Sequence, residues 1–482
     1  MSDSRIRVRF APSPTGLMHL GNVRTALMNY LFALQKDGTF VLRIEDTDPE
    51  RNFDPGAKQI ISDLCWLKLD YAEGPQKGGP FEPYFQSQRM VIYKQKLQEL
   101  EKMGLIYRCF CTTEKLEQKR QRQIALRTAP RYDRTCLKLP DDQIQEKVAA
   151  GIPFIWRVKL DHEKDITIQD IAHGTMTFQL KNFSDFPITR QNGTFTFMFA
   201  NFVDDMTMKI SHVLRGEDHL TNTAGQAVLF EAFKAQTPTF WHLPILCNIS
   251  GKKLSKRDFG FALKDLREAG YLPEAITNYL AIIGGSFEQE IMSLKQLSQA
   301  IDFDHAHAKG QIKYDVEKLN WVNHKWIAQY DAEKLTELCR PYLVDRFTAA
   351  KDLDSSVLKN LIEHVKTDLT TLADVSTVLA FYFEEPEVTT ETVSTALDKK
   401  TLDTVANLVA QGLGNITNPD NFLGNLKKEA KTQKIELKAL FSFLRFGLMG
   451  ATRGPGIKEL LEMLGAEKSR ERLEHLIEIT KK

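Results

Sequence analysis

The opening run RIRVRFAPSPTGLMHLGN admits few folds. Ile6, Val8 and Phe10 alternate with Arg5, Arg7 and Arg9, the period-two signature of a half-buried strand. Pro12 and Pro14 then prevent the ladder from continuing, and PSPTG makes a compact turn. Beyond Gly21 the apolar residues Val23, Ala26, Leu27, Tyr30, Leu31 and Leu34 recur at helical spacing, and Gly38 ends the helix. TFVLRIE follows as a second strand rich in branched residues. Strand, helix and strand in that order form a βαβ unit. The expected fold class is therefore α/β, a doubly wound parallel sheet with ligands at the carboxyl ends of its strands.

Near Gln86 the pattern changes. A long helix, QSQRMVIYKQKLQELEKMG, leads into a cysteine cluster and the polar stretch EKLEQKRQRQIALR. FIWRVKL, TMTFQL and TFTFMFANF read as strands, after which HLTNTAGQAVLFEAF and FWHLPILCNIS restore helix–strand alternation. That is an α/β domain split by an α+β insertion. Beyond about Gly260 the chain is expected to be almost wholly helical. Its 482 residues suit three to four domain-sized units at roughly 150 residues each.

Lys+Arg 64 against Asp+Glu 63 leaves a net charge of +1, so any nucleic-acid contact must come from local patches. No apolar run reaches the ~18 residues of a membrane span, and MSDSRIRV lacks the apolar region of a secretory signal. A cytoplasmic protein without membrane contact is expected. Six cysteines in so long a chain argue against a disulfide framework, and Cys65 and Cys247, in apolar runs, are expected in the core.

Free N–H groups and the helix dipole make the end of the first strand an anion site. His19 there can donate to a phosphate, and Gly21 lets a nucleotide approach the main chain. Neither a P-loop nor a G-x-G-x-x-G fingerprint is present. CNISGKKLSKRDFG, residues 247–260, follows a later strand and sets Lys253 and Lys256 around Ser255, a pair able to neutralise charge on departing pyrophosphate. Taken singly, His19 reads as an incidental turn residue and the basic loop as a solvated face. Together, His19-Leu20-Gly21-Asn22 and Lys253-Leu254-Ser255-Lys256-Arg257 resemble the HIGH and KMSKS motifs of class I aminoacyl-tRNA synthetases.

RFAPSPTG, RIEDTD, VLRGEDH and KLSKR, in that order, sharpen the resemblance to bacterial-type glutamyl-tRNA synthetases, from about Arg5 to Trp326 and more weakly beyond. The resemblance implies a Rossmann-like catalytic domain and a helical anticodon-binding region. It also implies an ATP- and Mg²⁺-dependent ligase that forms glutamyl-adenylate and transfers glutamate to tRNA-Glu. By the same carry-over, Arg9 and Arg215 would grip the carboxylates of L-glutamate, since arginine holds a carboxylate with two parallel hydrogen bonds. Ala11 and Ser13 would make close contacts, Glu45 would take the ammonium group, and Phe197 and Asn201 would line the pocket with Asp218 nearby. Phe197 departs from the family's tyrosine. Ala11, Ser13, His19, Gly21, Asp218, Lys253, Ser255 and Lys256 would serve ATP. Arg9 as a surface charge and Glu45 as a structural partner of Arg43 are the bland alternatives.

Cys109, Cys111 and Cys136, with Tyr132, resemble a small zinc site of the family's insertion, where Tyr132 rather than Lys138 would be the fourth ligand. The alternative is three cysteines without metal. In LNWVNHKWI, helical spacing makes Trp321 and Trp326 expected core residues, and KDLREAGY and LKKEAKTQK are weak candidates for RNA contact. Asp368 in HVKTDLTTL stands where relatives that reject tRNA-Gln carry arginine, which leaves open a relaxed enzyme charging both tRNAs or a duplicate specialised for tRNA-Gln. A paralogue glutamylating a modified tRNA nucleoside, or a non-catalytic RNA-binding protein, are the other readings. The expected division is 1–85 and 196–259 for the catalytic halves, 86–195 for the insertion, 260–325 for a stem-contact region and 326–482 for the anticodon-binding region. A monomer without affinity for DNA is expected.

Overall fold

The computed structural model describes residues 6–481 apart from Pro49, Arg51 and residues 304–309; Arg5, the first arginine of the opening strand, lies outside the described residues. The chain divides into two compact units, one of residues up to Leu266 with Ile276–Asp315, the other of Arg267–Ala275 with the residues from Val316 onward.

In the first unit, β1 (Arg7–Phe10) and β2 (Thr39–Leu42) pair in parallel, joined by α1 (Leu20–Gln35). The βαβ reading holds, with one difference. α1 begins at Leu20, so Gly21 lies inside its first turn and His19 is its N-cap. α2 (Lys58–Trp66) precedes the stretch expected as the insertion, which holds α3 (Met90–Lys102), β3 (Ile106–Cys109), α4 (Thr113–Ala125), α5 (Asp141–Ala149) and β4 (Ile155–Val158), with β3 and β4 antiparallel. α4, the polar stretch of the sequence, buries no residue.

β5 (Asp165–Asp170) and β6 (Gly174–Gln179) form a hairpin that ends on the parallel sheet. α6 (Phe197–Thr207), β7 (His212–Gly216), α7 (Leu220–Ala232) and β8 (Thr239–Leu243) complete the sheet, in the order β6-β5-β8-β7. β8 pairs in parallel with both β7 and β5, and a backbone bond from Ser211 N to Arg7 O, 3.0 Å, ties the start of β7 to β1. Thus β1 has β2 on one side and the β7 segment on the other. Chain direction switches there, and a doubly wound sheet opens its crevice at that point.

TFTFMFANF is not a strand. Phe195, Phe197 and Phe199 mimic period two, but Phe199, Phe202, Val203 and Met206 are spaced three and four apart and pack with Tyr93, Leu229 and Phe230. Helical packing against α3 and α7 outweighs the strand preference of aromatic residues. Cys65 is exposed, whereas Cys247 is buried as expected; Cys65 sits on the outer face of α2, which buries Ile60, Asp63 and Leu64.

The second unit is helical. Its first helix, Val316–Ile327, buries Leu319, Val322, Asn323 and Ile327, so Trp321 falls on the opposite face. Trp321 is 38% exposed with Lys318 Nζ 4.1 Å from its ring centre, and Trp326 is half-buried, so neither is a core residue. Asn323 fixes the turn around it, accepting from Leu272 N at 2.8 Å and donating to Thr370 O at 2.6 Å. The helix Ile457–Thr480 kinks at Gly465, whose φ of 76° other residues rarely adopt. Among the described residues no helix is long and apolar enough to cross a membrane.

The first unit is pinned by charge as well as by apolar packing. Asp204, fully buried on α6, accepts from Arg89 Nε at 2.6 Å, Gln86 Nε2 at 2.8 Å and Tyr93 Oη at 2.9 Å. Removing one member of a buried network strands its partners in a dry interior. Asp204→Ala should therefore cost about 3–5 kcal/mol in urea unfolding; a loss below about 1 kcal/mol would show that water reaches these arginines.

Candidate active site

A cleft of about 950 Å³ opens at the carboxyl ends of β1 and β7. Arg9, Ala11, Ser13, Glu45, Phe197, Asn201 and Arg215 all line it. So do His19, Gly21, Asp218, Lys253 and Lys256, which brings twelve residues from distant parts of the sequence to one cavity. Ser255 does not line it: its backbone N–H and hydroxyl both donate to Asp258 Oδ2, at 2.8 and 2.9 Å.

His19 is held in one tautomer. Its Nδ1 accepts from the Asn22 backbone N–H at 3.2 Å, while Asn22 Oδ1 lies 3.4 Å from His19 N, closing a capping box. The ring stacks on Phe261 at 5.1 Å between centroids. Nδ1 being an acceptor, the proton of the neutral ring resides on Nε2. Burial first, and then the charge of Lys253, push the His19 pKa below its ordinary value, against a smaller opposing pull from Asp218. His19 is thus a neutral donor at the positive end of α1. A Cβ on Gly21 would lie 3.0 Å from His19 Cε1, so the glycine leaves room for this ring.

The KLSKR loop folds back on the short strand β9 (Leu246–Cys247): Leu254 N donates to Leu246 O at 2.9 Å and Asn248 N to Lys252 O at 2.8 Å. Lys253 Nζ reaches Asp218 Oδ2 at 3.2 Å. Both groups are more than half solvated or nearly so, and such a pair adds little stability and parts readily.

Under the cleft lies a closed set of buried charges. Arg9 gives Nε and Nη2 to Asp205, at 3.1 and 3.2 Å, and Arg43 Nη1 reaches the same carboxylate at 2.7 Å. Arg43 Nη2 also donates to Glu45 Oε1 at 3.1 Å, and its Nε stands 3.6 Å from Asp204. With Arg89 on Asp204, three arginines meet three carboxylates. Of the two bland alternatives one holds in part, since Glu45 does pair with Arg43, and the other fails, since Arg9 is buried and not a surface charge. Asn201 Nδ2 donates to Glu45 at 2.7 Å and Gln86 Nε2 approaches at 3.4 Å. These contacts all fall on Oε1, which leaves Oε2 for a ligand. Burial pushes the Glu45 pKa up, and the neighbouring Arg43 opposes it.

Arg215 stands outside this balance. It is buried, its Nε and Nη1 have no partner, and among the described residues no carboxylate pairs with it. Burial, with Arg9 as the next cause, pushes its pKa down to about 9. A dry guanidinium with an empty edge is a receptor for an anion. Arg24, also buried in the cleft wall, donates Nη1 to Pro244 O at 3.2 Å, and burial pushes it down to about 10. Arg24, Asp204 and Asp205 belong to no motif, and Arg43, which opens RIEDTD, entered only as a structural partner of Glu45. Their only sequence signal is a charge set within an apolar run, as in FVDD, which demands a partner.

In the insertion, Cys109, Cys111 and Cys136 are buried with their sulfurs all within 4.8 Å of one another. Cys111 Sγ and Cys136 Sγ are 3.6 Å apart, and Tyr132 Oη lies 3.3 Å from Cys109 Sγ and 3.8 Å from Cys111 Sγ. Hydrogen bonding from Cys136 and Tyr132 pulls the Cys109 thiol down to about 4, while the Cys136 and Tyr132 groups are pushed up.

A cleft that joins an anion-binding helix end, a basic hairpin and a buried arginine receptor is the catalytic arrangement of a nucleotide-dependent ligase on a doubly wound sheet. Residues 5–321 match the family described as tRNA synthetases class I (E and Q), catalytic domain, and residues 334–477 match an anticodon binding domain. The chain is 37% identical over 477 residues to glutamate–tRNA ligase 2 of Syntrophus aciditrophicus, spanning 98% of each, and 34% identical over 482 residues to the glutamate–tRNA ligase of Bacillus subtilis, spanning 98% of this chain and all of that one. The solved glutamate tRNA ligase of Elizabethkingia meningosepticum, in complex with its amino acid, superposes with a TM-score of 0.86 at 31% identity, over 98% of this chain and 99% of that one. The protein belongs to the class I tRNA synthetases, in the branch for glutamate and glutamine.

Because Lys253 depresses His19, removing its charge should have a visible effect. In Lys253→Met the His19 pKa should rise toward 6.5, helped by the freed Asp218 carboxylate, as read by NMR titration of the ring. An unchanged or lower value would show that Lys253 does not face the ring in solution.

Proposed function

We propose that this cleft activates L-glutamate with ATP and transfers it to tRNA, as a glutamate–tRNA ligase. The observation that carries this reading is Arg215, a buried cation whose Nε and Nη1 have no partner, set beside a floor in which three arginines meet three carboxylates. Glutamate brings two carboxylates and one ammonium group, a net charge of −1, which offsets the charge of Arg215. Glutamine, with no net charge, would leave it unpaired, and an unpaired buried charge discriminates strongly.

Arg215 takes one carboxylate of the substrate by its Nε and Nη1 edge. Arg9, two of whose nitrogens are spent on Asp205, supports the carboxylate from the side. Glu45 Oε2 takes the ammonium group, while Asn201 and Phe197 close the pocket. Phe197 packs on the His219 ring at 5.2 Å and offers no hydroxyl, so the pocket relies on the arginines for polarity. Ala11 and Ser13 bring the main chain against the ligand. ATP lies over α1, where the Nε2–H of His19 donates to a phosphate beside the first-turn Gly21.

The substrate α-carboxylate oxygen then attacks the α-phosphorus, the P–O bond to the β-phosphate breaks, and pyrophosphate leaves with the electron pair. Lys253 and Lys256 neutralise the charge that develops on it. Lys253 must leave Asp218 to do so, which their solvation permits. Among the described residues the cleft's carboxylates do not cluster as a magnesium cage would need, and Mg²⁺ would arrive on the nucleotide's own phosphates. The terminal ribose hydroxyl of tRNA takes the activated acyl group in the second step and AMP leaves.

The cysteine cluster fits zinc. Tetrahedral zinc with Zn–S near 2.3 Å spaces thiolates about 3.8 Å apart and a phenolate oxygen about 3.5 Å from them. The Cys111–Cys136 spacing and the two Tyr132 contacts bracket those values. We assign Cys109, Cys111, Cys136 and Tyr132 as the ligands of a structural ion in residues 86–195, which we read as the acceptor-end insertion, with the helical region from 326 reading the anticodon. Protein purified without added zinc should carry about one equivalent per chain; less than about a third would oppose the assignment.

Asp368, in the turn Lys366–Asp368, bears on which tRNA is charged. Burial pushes its pKa up, with Arg445 and His324 opposing, so a carboxyl rather than a guanidinium occupies this place in the helical unit. Labelled glutamate should be transferred to a tRNA-Glu transcript; transfer to neither tRNA-Glu nor tRNA-Gln would overturn the reading. Transfer to tRNA-Gln as well would identify a relaxed enzyme. Lys256→Ala should lower the activation rate by about 10²–10³-fold while tRNA affinity changes by less than about threefold. Equal loss of both would remove Lys256 from the chemistry.

A further inference from the structure

Among the described residues Arg215 has no carboxylate partner, yet its orientation is fixed. Its Nη2 donates to Thr223 Oγ1 at 2.6 Å, Thr223 Oγ1 lies 2.8 Å from His242 Nε2, and His242 Nδ1 lies 2.7 Å from Asp170 Oδ2. The four residues come from β7, α7, β8 and the end of β5. Thr223 and His242 are wholly inaccessible and Asp170 nearly so. Asp170 cannot turn away, because its other oxygen accepts from Ala172 N at 2.9 Å, His173 N at 2.9 Å and His173 Nδ1 at 2.8 Å.

Hydrogen-bond polarity runs one way along this chain. A carboxylate oxygen only accepts, so His242 Nδ1 carries the proton. Burial, together with the Arg215 charge, keeps the imidazole neutral against the pull of Asp170. Nε2 is then a lone pair, and the hydroxyl proton of Thr223 points at it. Thr223 Oγ1 also lies 3.2 Å from His219 O, but donation there would leave Nε2 without a partner in a dry interior. With its proton committed to Nε2, Thr223 turns its own lone pairs to Arg215.

We propose that Asp170, His242 and Thr223 form a positioning relay, which holds one nitrogen of Arg215 so that its remaining edge faces the carboxylate of the amino-acid substrate. A carboxylate in direct contact with Arg215 would take the substrate's place. Two neutral groups between them stabilise the cation and set its rotation without filling the edge that binds. Each hydrogen bond polarises the next, so the negative charge of Asp170 is felt at Thr223 Oγ1. None of the three is a catalytic residue, since none lines the cleft. The relay rests on the glutamate-binding reading above.

Thr223→Val keeps the shape and deletes the hydroxyl. It should raise KM for L-glutamate about tenfold, the effect of one hydrogen bond to a charged group. Aminoacylation kcat and KM for ATP should each stay within about threefold, and Thr223→Ser should restore KM. An unchanged KM in Thr223→Val, a parallel fall in every parameter, or failure of serine to rescue would overturn the relay. Imidazole ¹⁵N spectra of the histidine-labelled chain give a second readout that needs no substrate, with His242 assigned by its loss in His242→Gln. The wild-type ring should show Nδ1 protonated and Nε2 bare but hydrogen-bonded, and Thr223→Val should shift Nε2; a protonated Nε2 or an unmoved one would overturn the relay. A wild-type chain that activates no glutamate would refute the functional reading instead, and the spectra would still decide the relay.

Discussion

The buried charge network beneath the cleft is the constraint on which the first unit depends. Asp205 is shared by Arg9 of β1 and Arg43 just past β2, while Asp204 beside it holds Arg89 and Tyr93. Two adjacent residues of α6 thereby tie the first βαβ unit to the chain that returns from the insertion. Burying so many charges is costly, and hydrophobic residues of like volume would often be as stable. What the network supplies is position: Arg9 and Glu45 reach the cleft from a floor with no freedom to rotate, and catalysis by placement rewards that rigidity.

The two sides of the cleft follow different physics. On the amino-acid side the groups are dry and fixed, Arg9 and Glu45 by several partners and Arg215 by Thr223. On the nucleotide side, the Lys253–Asp218 pair is solvated and the KLSKR hairpin is anchored mainly through Asp258, which ties Ser255 to Asn248. Recognising a small charged substrate calls for fixed, desolvated partners. Neutralising a leaving group calls for cations free to follow it. His19 bridges the two regimes, with one nitrogen locked by the α1 backbone and the other left to donate.

β5 carries a further consequence. By sequence it lies in the stretch interrupting the catalytic domain, yet it hydrogen-bonds to β8 and places Asp170 against His242. The insertion is therefore knitted into the sheet behind Arg215 and not simply appended to its edge. A change in how β5 sits on β8 would be felt by the arginine that faces the substrate.

Local pattern settled a good deal. Period-two alternation, the proline turn and the 3.6-residue spacing after Gly21 determined the βαβ unit, and HLGN with KLSKR marked the two ends of the nucleotide side, because turns, caps and anion sites are built from neighbouring residues. TFTFMFANF misled for the same reason: short-range alternation suggested a strand, while the spacing that mattered showed only once α3 and α7 were in place. Trp321 and Cys65 likewise depend on which helix face meets the core. The pairing of Arg9 with Asp205, the isolation of Arg215 and the path from Arg215 to Asp170 were decided by tertiary structure alone. A lone arginine or histidine has no periodicity to betray its partner, and these partners lie from eight to nearly two hundred residues apart. Sequence determined what each group is; folding determined which charges cancel and which one is left for the substrate.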